Sequence, residues 1–149
     1  MIRLIYSSAS VEPLTPAMVG ALLTRSRERN EAVGISGLLV VMNDDFMQVL
    51  EGEDEVVDAL FERIRSDQRH CSLTLLSREI ISHPAFAGWS KAFIDARAML
   101  DGIGLLPPSL QNLSRERETQ RTLRLVREFI DGKWHHHLPS GLLPQVVHR

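Results

Sequence analysis

The sequence predicts an α+β domain whose elements run β-α-β-β-α-β-β, with a helical extension after them. Three observations carry that expectation. Short apolar segments with strand-like alternation stand at "IRLIYSS", "ISGLLVVM", "FMQVLEG", "LTLLSREIIS" and "WSKAFID". Two segments with helical spacing lie between the first and second of these and between the third and fourth. A later stretch, "LDGIGLLPPSL", holds Pro107 and Pro108 and breaks any regular element, so it reads as a linker.

The first strand, Ile2 to Ser8, puts Ile2, Leu4 and Tyr6 on one face. Thr15 then caps a helix whose first position is Pro16, where the missing N–H costs nothing. The apolar stripe of that helix runs Val19, Leu22, Leu23 and continues at the same spacing into Ser26 and Asn30. Polar groups therefore occupy the inward face. "ISGLLVVM" is apolar for so long that both of its faces should be covered. A turn at Asn43-Asp44-Asp45 returns the chain as "FMQVLEG", with Phe46, Gln48 and Leu50 on one face and Met47 and Val49 on the other.

"EDEVVDALFERIRSD" carries Val56, Val57, Leu60, Phe61 and Ile64 at helical spacing, with acids in its first turn that favour the helix dipole. Two more strands come next, separated by His83-Pro84 and a loop. The order is the split βαβ, or ferredoxin-like, pattern with an extra strand, and it ends near Arg97. Residues 1–97 are thus expected to form one domain and residues 98–149 a linker, a helix and a tail. The helix falls in "SRERETQRTLRLVREFIDG", with Leu123, Val126, Phe129 and Ile130 as its stripe and Gly132 as its stop. Both helices of a split βαβ lie on one sheet face, so this helix is expected to cover the other.

Composition narrows the function classes. The 149 residues are 44% hydrophobic and 24% charged, with a net charge of -2, and lack the basic footprint that nucleic-acid binding requires. A single cysteine, Cys71, excludes an intramolecular disulfide and any multi-cysteine metal site, and reads as a small buried hydrophobe. No apolar run approaches membrane-spanning length or makes a signal sequence, so a cytoplasmic protein without membrane contact is expected. His135, His136 and His137 are adjacent without partners to orient them, and no metal site is expected there.

The informative residues are polar ones in apolar places. Tyr6, Asn30 and Gln48 all face the space between sheet and helices, and Trp89 opens the last strand nearby. Each buried phenol or amide left unpaired would cost about 1–3 kcal/mol. They either satisfy one another, through a Tyr6 to Gln48 bond with Asn30 capping its own helix, or they read a planar polar ligand inserted between the helices.

"LIYSS", "RN" followed by "GISGLL", "FMQVLEG", "IRSDQRH" and "FAGWS" resemble, in order and without large gaps, the successive motifs of BLUF domains, which are flavin-binding blue-light sensors. The resemblance covers roughly residues 1–97. It implies a ferredoxin-like sheet with the flavin between the two helices, and FAD as the cofactor with FMN as the alternative. Tyr6 matches the photoactive tyrosine, Gln48 the switching glutamine and Asn30 the amide that bonds the flavin's polar edge. Ser26, Arg29, Asp67, Arg69 and His70 fall at further positions around the flavin. Trp89 matches the signal-transmitting tryptophan of the "GW" motif, whereas Lys91 stands where a methionine is commoner. The resemblance further implies light-driven proton-coupled electron transfer from Tyr6, hydrogen-bond switching of Gln48, and a red-shifted signalling state.

The residues beyond Arg97 are too few for a cyclase or phosphodiesterase. The chain therefore resembles the short stand-alone members, which are not enzymes, signal to a separate protein partner and form homo-oligomers. Two other readings compete. An acylphosphatase-like hydrolase on the same scaffold would need a phosphate cradle after the first strand, and "SSASVEP" has neither a glycine nor a basic residue. A flavin-free interaction module would have lost the photochemistry, a reading that Lys91 favours and that Tyr6, Gln48 and Asn30 oppose.

Overall fold

The computed structural model describes residues 1–13, 15–42, 44–68, 70–86, 92–95 and 117–134. The elements are β1 (Ile2–Ser10), α1 (Pro16–Ala32), β2 (Ser36–Met42), β3 (Asp45–Gly52), α2 (Asp54–Arg65), β4 (His70–Ile80), β5 (Ala92–Asp95) and α3 (Arg117–Ile130). The sheet order is β4-β1-β3-β2-β5. The first four strands pair antiparallel, and β5 adds to the β2 edge in parallel. This is the expected ferredoxin-like α+β fold with one extra strand.

Boundaries moved where pairing extended them. β1 runs on to Ser10, whose N–H bonds to the Asp44 carbonyl at 2.9 Å. The hairpin is tighter than expected, because Asp45 already pairs with Met42 and belongs to β3. β4 starts at His70, so the end of "DQRH" is strand rather than loop. Cys71 is a correction: it is exposed, because β4 is an edge strand with no neighbour on its far side among the described residues.

The helix ends follow local rules. Thr15 accepts a hydrogen bond from the Met18 N–H at 3.2 Å, and Pro16 opens α1. α1 closes with the Ile35 and Gly34 N–H groups on the Asn30 and Glu31 carbonyls, a geometry that needs φ of +72° at Gly34. This closure fixes the backbone of Asn30. Gly37 is required for another reason, since a Cβ there would overlap the Val49 carbonyl on β3.

The sheet is covered on both sides. On one side α2 packs Val57, Leu60 and Phe61 on Ile2, Leu4, Tyr6 and Leu50, while α1 packs Val19 and Leu23 on Leu39, Val41 and Phe46. These two apolar clusters are separate, and the seam between them is where the polar residues lie. On the other side Leu123, Val126, Phe129 and Ile130 of α3 pack on Ile5, Leu38, Val40, Met47, Val49 and Phe86. Burying each of these large side chains stabilises the fold by roughly 1.5–3 kcal/mol.

The α3 side also buries an ion pair that the sequence did not announce. Arg3 and Glu51 are direct cross-strand partners and are 1% and 0% exposed. Arg3 Nε and Nη2 both lie 2.8 Å from Glu51 Oε2, and Nη1 reaches Glu79 Oε1 at 3.3 Å. Glu51 also accepts the backbone N–H groups of Ala85 at 3.1 Å and Phe86 at 2.8 Å. Both oxygens of this carboxylate are thus committed, which is the condition for tolerating a buried charge. Nearby, the Ser7 hydroxyl is buried without a hydrogen-bond partner among the described residues.

Two substitutions on this face should behave oppositely in chemical denaturation. Glu51→Leu strands the Arg3 guanidinium and two loop N–H groups and should cost about 3–5 kcal/mol. Ser7→Ala removes an unsatisfied hydroxyl and should leave stability unchanged or raised.

Candidate functional site

Tyr6 and Gln48 face each other directly across the β1–β3 ladder, on the side that carries α1 and α2. The Tyr6 hydroxyl donates to Gln48 Oε1 at 2.6 Å, and both residues are buried. The Gln48 side chain has no other hydrogen bond among the described residues, so its Nε2 donors remain uncommitted. The Tyr6 ring leans on Phe61 of α2 with centroids 5.6 Å apart and the planes tilted by 55°. That contact fixes the direction of the hydroxyl.

Beside this pair a cavity of about 170 Å³ opens between α1 and α2. Ser26 and Asn30 of α1 enter it, both buried, because the inward stripe of the helix turns polar in its second half. Leu22, Leu39, Phe46, Leu60 and Ile64 supply apolar walls. Arg29 and Arg63 stand at the mouth from facing helices, and Asp67 closes the far end of α2. Burial, and secondarily the Asp67 carboxylate, push the Tyr6 phenol well above its ordinary range, so it is neutral at any physiological pH.

The donor set suits a flat aromatic heterocycle with acceptors along one edge. Gln48 offers an unused amide N–H₂, Asn30 brings a second amide to the same space, and leucine, isoleucine and phenylalanine side chains cover the faces. A flavin ring has this chemistry, and the residues fit it.

The comparisons with known proteins agree. Residues 1–92 match the family BLUF, "Sensors of blue-light using FAD". The chain belongs to the BLUF family. Over 89 residues it is 33% identical to the photoactivated adenylate cyclase subunit beta of Euglena gracilis and 34% identical to the subunit alpha of that organism. These matches cover 58% of this chain but only 10% and 9% of those proteins, so the BLUF chain spans about a tenth of the curated relatives it matches.

Among solved structures, Klebsiella pneumoniae BlrP1 with FMN and cyclic diGMP is 30% identical with a TM-score of 0.73, covering 97% of this chain and 38% of that one. The dark-state structure of BlrB, a BLUF protein, is 27% identical with a TM-score of 0.66, covering 86% and 96%. The BLUF domain is a sensory module, and its cofactor class is a flavin.

Of the sequence-predicted BLUF site, Tyr6, Ser26, Arg29, Asn30, Gln48 and Asp67 meet around one cavity. His70 opens β4. Arg69, Trp89, Lys91 and the three histidines at 135–137 lie outside the described residues. Sequence reasoning missed Arg63, an exposed residue that lies between Leu60 and Ile64 at the border of the inward stripe of α2 and lines the cavity. No helix among the described residues is long and apolar enough to cross a membrane.

Tyr6 is the only tyrosine of the chain, which makes its titration readable. Its folded pKa lies above the ordinary value of 10.0, so stability is intact below pH 10 and falls above it, as the unfolded chain ionises first. In alkaline titration, phenolate absorbance should stay flat until the protein unfolds and then appear together with the loss of circular dichroism. A gradual rise in the folded protein would contradict the buried, neutral phenol.

Proposed function

We propose that residues 1–97 sense blue light through a non-covalently bound flavin, FAD or FMN, and that residues 98–149 form an extension that passes the change to a separate protein partner. The observation that carries this reading is the 2.6 Å bond from Tyr6 to Gln48 Oε1, with the other end of the same amide uncommitted among the described residues beside the cavity. Asn30, Gln48, Ser26, Arg29 and Asp67, with Arg69 and His70, would hold the cofactor. When bound, the flavin supplies a blue-absorbing oxidant whose polar edge accepts hydrogen bonds.

The chain's own residues do the rest. Tyr6 enters as a neutral phenol, and its electron and proton leave together because a lone charge in this dry setting is costly. The proton moves along the existing hydrogen bond to Gln48 Oε1. Gln48 presents a donor at one end of its amide and an acceptor at the other, and rotation or tautomerisation exchanges them. Once proton and electron have returned to Tyr6, the rearranged amide persists. It donates a stronger bond into the cavity, and the absorption moves to the red.

Trp89 and Lys91 are assigned to transmission by their match to the family's motif positions. Lys91 departs from the usual methionine of that position. The output is a changed contact with a separate protein partner, the chain itself forms a homo-oligomer, and residues 1–97 catalyse no reaction. The lone Cys71 thiol suits a cytoplasmic setting.

Absorption spectra before and after blue light test the reading directly. A flavin spectrum that shifts red and relaxes in darkness supports it, whereas a protein that stays colourless after flavin is added leaves the interaction module instead. Gln48→Leu should keep flavin and lose the shift, and Tyr6→Phe should abolish the long-lived state. Lys91→Met should change dark recovery far more than flavin affinity; loss of flavin binding would place Lys91 in the pocket.

A further inference from the structure

Next to the cavity beside Gln48, a second depression of about 300 Å³ lies along α1, lined by Leu22, Arg25, Glu28 and Arg29. Leu22 and Arg29 line both spaces, so the two lie next to each other along α1. Chemistry changes from one to the other. The floor presents neutral groups, the Gln48 and Asn30 amides and the Tyr6 phenol, whereas the exit presents guanidinium groups.

Those guanidiniums are uncommitted. Arg25, Arg29 and Arg63 are exposed and enter no ion pair among the described residues, whereas Arg65, half a turn on from Arg63, pairs with Glu62, and Arg78 pairs with Asp58. Arg25 and Arg29 stand four residues apart on α1 and so project side by side. Between and outside them sits Glu28, also without an ion pair among the described residues, which faces the same depression and limits the net charge there. Arg25, Arg29 and Arg63 against Glu28 and Asp67 leave one excess positive charge among the residues lining the two spaces, in a chain whose net charge is -2.

A neutral floor with a cationic exit suits a ligand that is a neutral polar ring carrying an anionic tail. We infer that Arg25, with Arg29, forms a phosphate site for the tail of the bound flavin, and so selects phosphorylated flavins over riboflavin. This rests on the flavin reading above. The first phosphate beyond the sugar alcohol chain is common to FMN and FAD, and the site reads that phosphate alone. Any further nucleotide extends past Glu28 into water and adds little. The groups sit in water, so their attraction is screened by salt.

The test is a titration of the flavin-depleted protein with riboflavin, FMN and FAD, followed by quenching of flavin fluorescence. At low ionic strength FMN and FAD should bind alike and about tenfold or more tightly than riboflavin, with the gap narrowing as salt is added. Arg25→Gln should bring the FMN to riboflavin affinity ratio toward one, while Arg65→Gln, on α2 and outside the cavity, should leave the ratio as it is. Equal affinities for all three flavins, with a normal light-induced red shift, would overturn the phosphate site and leave the photosensor standing. Tighter FAD than FMN would overturn the single-phosphate assignment, and failure of all three to bind would overturn both readings.

Discussion

The register between β1 and β3 is the constraint on which the rest of the structure depends. It sets two direct cross-strand pairs, Tyr6 with Gln48 and Arg3 with Glu51. The strands alternate faces, so the first pair points toward α1 and α2 and the second toward α3. A slip of one residue would invert both, sending the phenol to the α3 side and a guanidinium into the flavin cleft. Arg3 and Glu51 therefore act as a key: two buried charges tolerate only the alignment in which they meet. Their pairing keeps Tyr6 and Gln48 within hydrogen-bond reach on the opposite face.

The same strand thus carries a responsive amide and a rigid carboxylate. Among the described residues the Gln48 side chain has one bond and an uncommitted end, while Glu51 has both oxygens taken by Arg3, Ala85 and Phe86. Phe86 in turn is buried against Val126 and Phe129 of α3. A change at Gln48 is therefore made on a strand whose other face is tied to the β4–β5 connection and to the C-terminal helix. The α1 and α2 side is packed as two clusters with a seam, and the α3 side as one. Adaptability sits on the side with the seam.

Much of this was legible in the residues. Alternation placed Tyr6 and Gln48 on one face because the strand period is two, and Asn30 and Ser26 were conspicuous because they interrupt an apolar stripe. The family's motifs then supplied the ligand. Less legible were features that depend on which strands become neighbours. Arg3 and Glu51 lie 48 positions apart, and nothing local marks either as buried. Arg63 was overlooked because charge on a helix is ordinarily solvated, and only the placement of α1 opposite α2 sets this exposed residue at the rim of the cavity. Cys71 failed for a related reason, since an apolar-looking strand does not disclose that it ends the sheet.

That terminal position of β4 bears on how copies of the protein meet in a crowded solution. Its 11 residues leave a long outer row of peptide groups beyond the β1 pairing, flanked by Leu75 and Ile80 at 48% and 79% exposure. Such a border invites another chain to add itself as a further strand. Two details discourage it. Ser72 takes a left-handed backbone with φ of +52°, and the pairing to β1 shifts between Ser7 and Ala9, so the border is kinked rather than straight. Arg78 and Glu79 place opposite charges near its end, held by Asp58 and Arg3. The border is irregular and charged, and both features oppose the addition of a further strand.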